Sequence, residues 1–254
     1  MSVSTLVSQD KMYINGVSSD TVGLYIDTPP MPSFSDLSYS DFSTAGRSES
    51  MVLSNKMREN IVLHVNAYTF NYGADVNEIY GFIAGAKTVR FNDDLYEYRV
   101  KKVKGIVPTY KNLGKNYLQI QFECSPYRYA VDNSPILTPN ERTSSISKVF
   151  QTVGNVYSEP KIILRGVAGE TTVTVNGVPL HFDATTDGFI YIDIPRMKIY
   201  RLNQDEEYET MVMEKTQGAF WNFKFIPSET DYNAVTVQGD ILHGIAIYKN
   251  ERWL

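Results

Sequence analysis

The sequence is poor in the residues that usually carry chemistry. Of its 254 residues one is cysteine and three are histidine. A lone Cys124 excludes an intrachain disulfide and any zinc site built on several cysteines, so the fold must hold without staples, as suits synthesis in a reducing cytoplasm. His64, His181 and His243 stand far apart in predicted strands, with no H-x-x-x-H spacing among them, and read as ordinary strand residues rather than metal ligands. Gly-x-Ser-x-Gly, Walker and dinucleotide-binding signatures are absent. Positive charge is also scarce. The 24 Lys and Arg against 29 Asp and Glu leave a net −5, which argues against a groove that neutralises nucleic-acid phosphates. No run approaches the roughly 18 to 20 apolar residues of a membrane helix, and residues 1–11 lack the charged and apolar regions of an export signal. The acidic run Asp205-Glu206-Glu207, with Glu209 behind it, lacks the glycine and spaced oxygen ligands of a calcium loop and reads as a solvated turn. Carboxylate pairs that hydrolyse glycosides assemble only in space, and nothing points to one here. These absences predict no enzyme, no cofactor and no metal.

What is present is β-structure. At 43% hydrophobic and 21% charged the composition is that of an ordinary globular protein, and its 18 tyrosines and 12 phenylalanines suit strands with one wet face. Met12-Tyr13-Ile14 followed by Asn15-Gly16 predicts a strand entering a tight turn, because Asn-Gly tolerates positive φ. Residues 22–27 form a second strand, stopped by Thr28-Pro29-Pro30. Residues 31–60 then read as a long polar loop, a length that is usually functional. Phe34, Tyr39 and Phe42 sit in it without core periodicity, either pinning the loop to its own domain or docking on a neighbouring subunit. Residues 61–70 are a long strand, apolar at 61, 63 and 65. One helix follows: Asp75 and Glu78 stand in capping-box spacing, Val76, Ile79, Tyr80 and Ile83 make an apolar stripe, and Gly85 is expected to close it with positive φ.

Further strands lead to residues 118–124, where Leu118, Ile120, Phe122 and Cys124 share one face. This strand is expected to end at Pro126, with Pro126, Tyr127 and Tyr129 forming a junction between domains or subunits. Residues 1–131 thus make an N-terminal β-domain with one helix, and 132–145, rich in Pro and Asn, read as a linker. In 146–254 short strands recur with turn signals at 8- to 12-residue spacing, the pattern of a β-sandwich, and Asn176-Gly177 predicts a hairpin. Residues 219–226 read as a strand with Trp221, Phe223 and Phe225 on one face. That face either fills the core or, through Trp221 with Asn222, offers a platform for a sugar. Trp253 is expected to tuck against a domain or subunit surface.

These words occur in a particular order. Met12-Tyr13-Ile14-Asn15-Gly16, Leu24-Tyr25-Ile26-Asp27-Thr28-Pro29-Pro30 and Phe122-Glu123-Cys124-Ser125-Pro126-Tyr127-Arg128-Tyr129 are followed by Gly154-Asn155-Val156-Tyr157-Ser158-Glu159-Pro160-Lys161-Ile162, then by Val173-Thr174-Val175-Asn176-Gly177 and Ala234-Val235-Thr236-Val237-Gln238-Gly239. In this order and spacing, over almost the whole chain, the sequence resembles the distal tail protein (Dit) family of siphophages infecting Gram-positive bacteria. The resemblance implies a mainly β fold: an N-terminal β-sandwich or split barrel with one α-helix that closes into a hexameric ring, then a galectin-like β-sandwich projecting outward. It implies a non-enzymatic hub at the distal tip of the phage tail, joining the tail tube protein to a tail-associated, tail-lysin-type protein. Receptor-binding or baseplate components, stacked rings of the same protein and a host cell-wall glycan are further partners it allows. The arm-like insertion that some relatives carry in the second domain is absent. A stand-alone carbohydrate-binding module is the alternative.

Overall fold

The computed structural model describes residues 10–31, 35–42, 51–70, 75–92, 94–112, 115–202, 208–209 and 216–254. The chain divides into two compact units, Met1–Val131 together with Leu254, and Asp132–Trp253. Both are built on antiparallel sheets, and the fold is mainly β with one α-helix among the described residues.

In the first unit, β1 (Met12–Ile14) turns through Asn15 and Gly16, at φ 52° and 80°, into β2 (Val17–Ser18). Positive φ at both positions is the type I′ geometry that matches strand twist. β3 (Tyr25–Ile26) follows. The segment read as a polar loop is instead crossed by a two-stranded ribbon, β4 (Leu37–Phe42) against β5 (Met51–Arg58). Its few large apolar residues give no clean alternation, which is why the pattern escaped a reading by periodicity. At its base Glu59 N–H donates to the Asp36 carbonyl and the Arg58 guanidinium to the Ser35 carbonyl, 3.0 and 2.7 Å.

β6 (Ile61–Phe70), β7 (Thr88–Phe91), β8 (Tyr96–Asn112) and β9 (Lys115–Ala130) complete a sheet ordered β2-β1-β7-β8-β9-β6-β3. Alternation decides its faces. Ile61, Leu63, Val65 and Ala67 on β6, with Leu118, Ile120, Phe122 and Cys124 on β9, face one buried core beneath α1 (Val76–Ala84). Asp75 caps this helix by accepting from Asn77 N–H at 2.8 Å. Ile79 and Ile83 are its buried pair, each contributing about 2–3 kcal/mol of apolar burial. Val76, expected on the same stripe, is 55% exposed because the first turn overhangs the core. Gly85 also departs from expectation. Its φ is −79°, and the Asn15 side-chain amide satisfies its carbonyl at 2.9 Å, so the helix end is capped by a distant turn rather than by a left-handed residue.

In the second unit, the residues read as a linker carry structure. β10 (Ile136–Leu137) pairs with β18 (Ile245–Tyr248), and β11 (Thr143–Phe150) pairs with β17 (Asn233–Ile241), so parts of 132–145 join this unit's sheet. β12 (Lys161–Val175) and β13 (Val178–Asp193) form a long hairpin across Asn176-Gly177, φ 48° and 84°. β14 (Lys198–Leu202), β15 (Tyr208–Glu209) and β16 (Gln217–Gly218) extend it on the β13 side. β12 meets β18 (Ile245–Tyr248) with residues 161–164 and β17 (Asn233–Ile241) with residues 167–175. It changes partner at Gly166, whose φ of 72° lies in the left-handed region that favours glycine and where an added Cβ would crowd Leu242. One strand thereby serves both layers of a sandwich around Leu164, Val173, Phe223, Phe225, Val235 and Ile247.

Candidate interaction surfaces

The reactive groups are dispersed and quiet. His64 and His181 are exposed on β6 and β13, and His243 is exposed in the bend between β17 and β18 rather than in the strand expected for it. Among the described residues no group of three or more His, Cys, Asp or Glu side chains could hold a metal ion. Burial, assisted by the charge of Glu123, pushes the Cys124 thiol up to about 12, so it stays protonated and unreactive. Beside it, on the opposite face, the Asn60 amide and the Lys104 ammonium hold the Glu123 carboxyl below its usual range. Residues 203–207 of the acidic run lie outside the described residues, while Glu209 pairs with Arg201 across β14 and β15.

The residues singled out from sequence are not gathered into one place. Phe34 lies outside the described residues. Tyr39 and Phe42 belong to β4, opposite Ser54 and Met51. Pro126 does not end its strand: β9 runs on to Ala130, and Arg128, Tyr129 and Ala130 still pair with β8. Tyr98 opposes Arg128 while Val100 opposes Cys124, so residues 125–127 form a bulge on β9. A bulge is where a strand accommodates a residue without an N–H. Tyr127 is half-buried. Tyr129 is buried, with the Arg99 guanidinium 3.6 Å above its ring and the Ser125 hydroxyl 3.2 Å from its own.

Residues 219–226 are not a strand either. Phe220–Asn222 form a 3₁₀ turn, in which positions three apart eclipse. Phe220 and Phe223 therefore turn inward together, and Phe225 follows them into the core. Trp221 is left 51% exposed and Asn222 exposed beside it. The core-filling reading holds for Phe223 and Phe225 and fails for Trp221, whose ring is at the surface.

Two concavities were not visible in the sequence. In the first unit a groove of about 310 Å³ opens between Val76 and Tyr80 of α1 and Pro108, Asn116 and Leu118 of the β8–β9 pair. The buried Asn116 Oδ1 has no hydrogen-bond partner among the described residues. Asn116 occupies the next inward position after Leu118, and a polar residue there was the available sign that the core stops short of the sheet's end. In the second unit Glu170, Thr172, His181 and Asp183 share the outer face of β12 and β13, with Gln217 of β16 beside them, around a polar hollow of about 270 Å³. His181 Nδ1 lies 2.8 Å from the Thr172 hydroxyl.

No family model matches the sequence, and no curated protein sequence matches it. Its fold, however, matches a solved structure from end to end. The chain is similar to the crystal structure of the Dit (gp 19.1) protein of phage SPP1, a paradigm of the hub adsorption apparatus in phages that infect Gram-positive bacteria. The TM-score is 0.64 at 12% identity, over 97% of this chain and 100% of that one. The shared fold spans both units. At this identity the likeness is one of architecture, and no side chain is carried across by it.

Proposed function

We propose that this protein is a structural hub of a phage tail tip, without catalytic activity, located in the virion at the distal end of the tail. The observation that carries the reading is the full-length fold match to a phage hub protein. The quiet chemistry of Cys124 and the dispersed histidines supports it. In this role the first unit closes into a hexameric ring, joins the tail tube protein to a tail-associated protein, and the second, galectin-like unit anchors receptor-binding or baseplate components. A closed ring needs two different complementary patches on each subunit. Native mass spectrometry of the purified protein, with electron microscopy of virions labelled by an antibody to it, tests the proposal. A six-fold particle and label confined to the tail tip are expected. A strictly monomeric protein that also fails to assemble with its tail partners would overturn it.

One observation favours the second reading, a glycan-binding module: the exposed Trp221 ring beside Asn222. Titration with host cell-wall oligosaccharides tests it, and binding that survives Trp221→Ala would remove this platform from consideration.

A further inference from the structure

One outward sheet face of the second unit is built almost without charge, and strand register joins it across five strands. Ser145 of β11 opposes Gln238 of β17, and Gln238 opposes Thr172 of β12. Thr172 opposes His181 of β13, and His181 opposes Gln217 of β16. Residues directly opposite in an antiparallel pair point to the same side. These five therefore form one row, on the side away from the core that Val173, Leu180 and Val237 fill. Ser147, Thr236, Thr174 and Pro179 make a second row beside it.

On the other side of the Thr172–His181 pair stand Glu170 and Asp183, again directly opposed. Two carboxylates so placed repel each other, a pairing that works against the sheet. Neither carboxylate has a hydrogen bond or an ion pair among the described residues. Glu170, His181, Asp183 and Gln217 are all exposed, and with Thr172 they line the hollow of about 270 Å³. The Thr172 hydroxyl, 2.8 Å away, occupies His181 Nδ1, while Nε2 has no partner among the described residues. No lysine or arginine stands in either row or beside the carboxylates on this face.

The chemistry of this face decides what it can hold. An anionic polymer would meet two carboxylates and no cation. Among the described residues no group of three or more His, Cys, Asp or Glu side chains could hold a metal ion. Rows of Ser, Thr, Gln and His lack the apolar centre of a protein interface. A ligand rich in hydroxyl groups matches every group present. Carboxylates accept from hydroxyls in charge-assisted bonds, and the glutamine amide, the imidazole and the threonine hydroxyl each donate or accept.

We propose that the hollow on β12, β13 and β16 is a binding site for an uncharged saccharide. Glu170 and Asp183 accept from its hydroxyls, and Thr172, His181 and Gln217 bond to it along the adjoining row. The opposed carboxylates, unfavourable to the sheet alone, become neighbouring acceptors when a polyhydroxyl ligand lies over them. This inference rests on the glycan-binding reading above and moves its site away from Trp221, which does not line the hollow. It is independent of the hub role.

The test exposes the full-length chain to an array of uncharged oligosaccharides of hexoses and N-acetylhexosamines. Phosphorylated glycans and a lysine-rich peptide form separate arms, and calorimetry titrates what binds. An uncharged glycan is expected to bind. Asp183→Asn and His181→Ala should each weaken it about tenfold or more, with circular dichroism unchanged. Asp183→Asn should unfold at the wild-type temperature or above it, because the substitution relieves the opposed charges. Trp221→Ala should bind as the wild type does. An Asp183→Asn chain that unfolds earlier and binds as before makes the carboxylate structural and overturns the proposal. Binding lost in Trp221→Ala but kept in the other two variants overturns this site and leaves the glycan reading standing on Trp221. Binding confined to the phosphorylated glycans or to the peptide also overturns the proposal. A wild-type chain that binds no glycan overturns both this site and the glycan reading, and leaves the hub reading to particle mass and virion labelling.

Discussion

The two units solve the same problem, a sheet with loose ends, in opposite ways. The second ties its irregular segments to itself with buried polar groups. Asn233, almost wholly buried, donates to Thr152 Oγ1 and the Ile226 carbonyl and accepts from Ile226 N–H and the Asn176 amide, at 2.8–3.1 Å. Buried Arg252 donates to the Tyr157 carbonyl at 2.6 Å and pairs with Glu159 at 3.2 Å, while Glu251 accepts from Val153 N–H. The first unit closes its apolar core on one sheet face. Its other face is covered by an aromatic cluster: Tyr68 lies beneath Tyr25, Phe70 and Tyr117, with Lys115 3.8 Å from its ring. Buried polar groups thus tie the second unit, while apolar and aromatic packing holds the first.

Substitutions can test this contrast. The largest effect is expected at Phe223, fully buried in the second core, where Phe223→Ala should cost about 4 kcal/mol in urea unfolding. Its neighbour Trp221→Ala should cost less than about 1 kcal/mol, since the ring is half in water; equal losses would contradict the 3₁₀ turn. Asn233→Ala should cost about 3 kcal/mol, because it strands several buried partners at once. A loss below about 1 kcal/mol would show that these polar ties are not what holds the segment. In the first unit Ile83→Ala should also cost about 3 kcal/mol, and Asp75→Ala, which removes the helix cap, about 1 kcal/mol. In two-transition unfolding each should move only the transition of its own unit.

The smallest effect concerns pH. The Arg142 guanidinium forks onto the Asp240 carboxylate and holds it below the usual range. A depressed carboxyl stabilises above its unfolded value and loses that contribution as pH falls through its folded value. Stability should therefore decline below about pH 4, and less so in Asp240→Asn. An equal acid slope in wild type and variant would remove the pair as a cause. Cys124 gives a sharper readout: a thiol reagent at neutral pH should label it only after unfolding, and rapid labelling of the native chain would contradict its burial.

Much of the architecture was legible in local patterns. Asn-Gly turns at 15–16 and 176–177, the alternation of Leu118, Ile120, Phe122 and Cys124, and the cap and stripe of α1 are all properties of a few adjacent residues, and backbone sterics settle them without help. The failures share a cause as well. Pro126 breaks an ideal strand but not a bulged one, and the bulge depends on what β8 offers opposite it. Phe220 to Phe225 alternate like a strand, but the core of the second unit accepts Phe220 and Phe223 together, which selects the 3₁₀ turn. The β4–β5 ribbon shows no clean alternation, and the strands that begin in 132–145 are defined by partners far along the chain, β18 and β17. Which strands become neighbours is likewise a matter of pairing between distant segments. Neighbours within a few positions therefore settled the two Asn-Gly turns, the helix and its cap, and the core-facing alternation of β6 and β9. The strand partners were decided by the folded protein alone, because they join segments far apart in the chain.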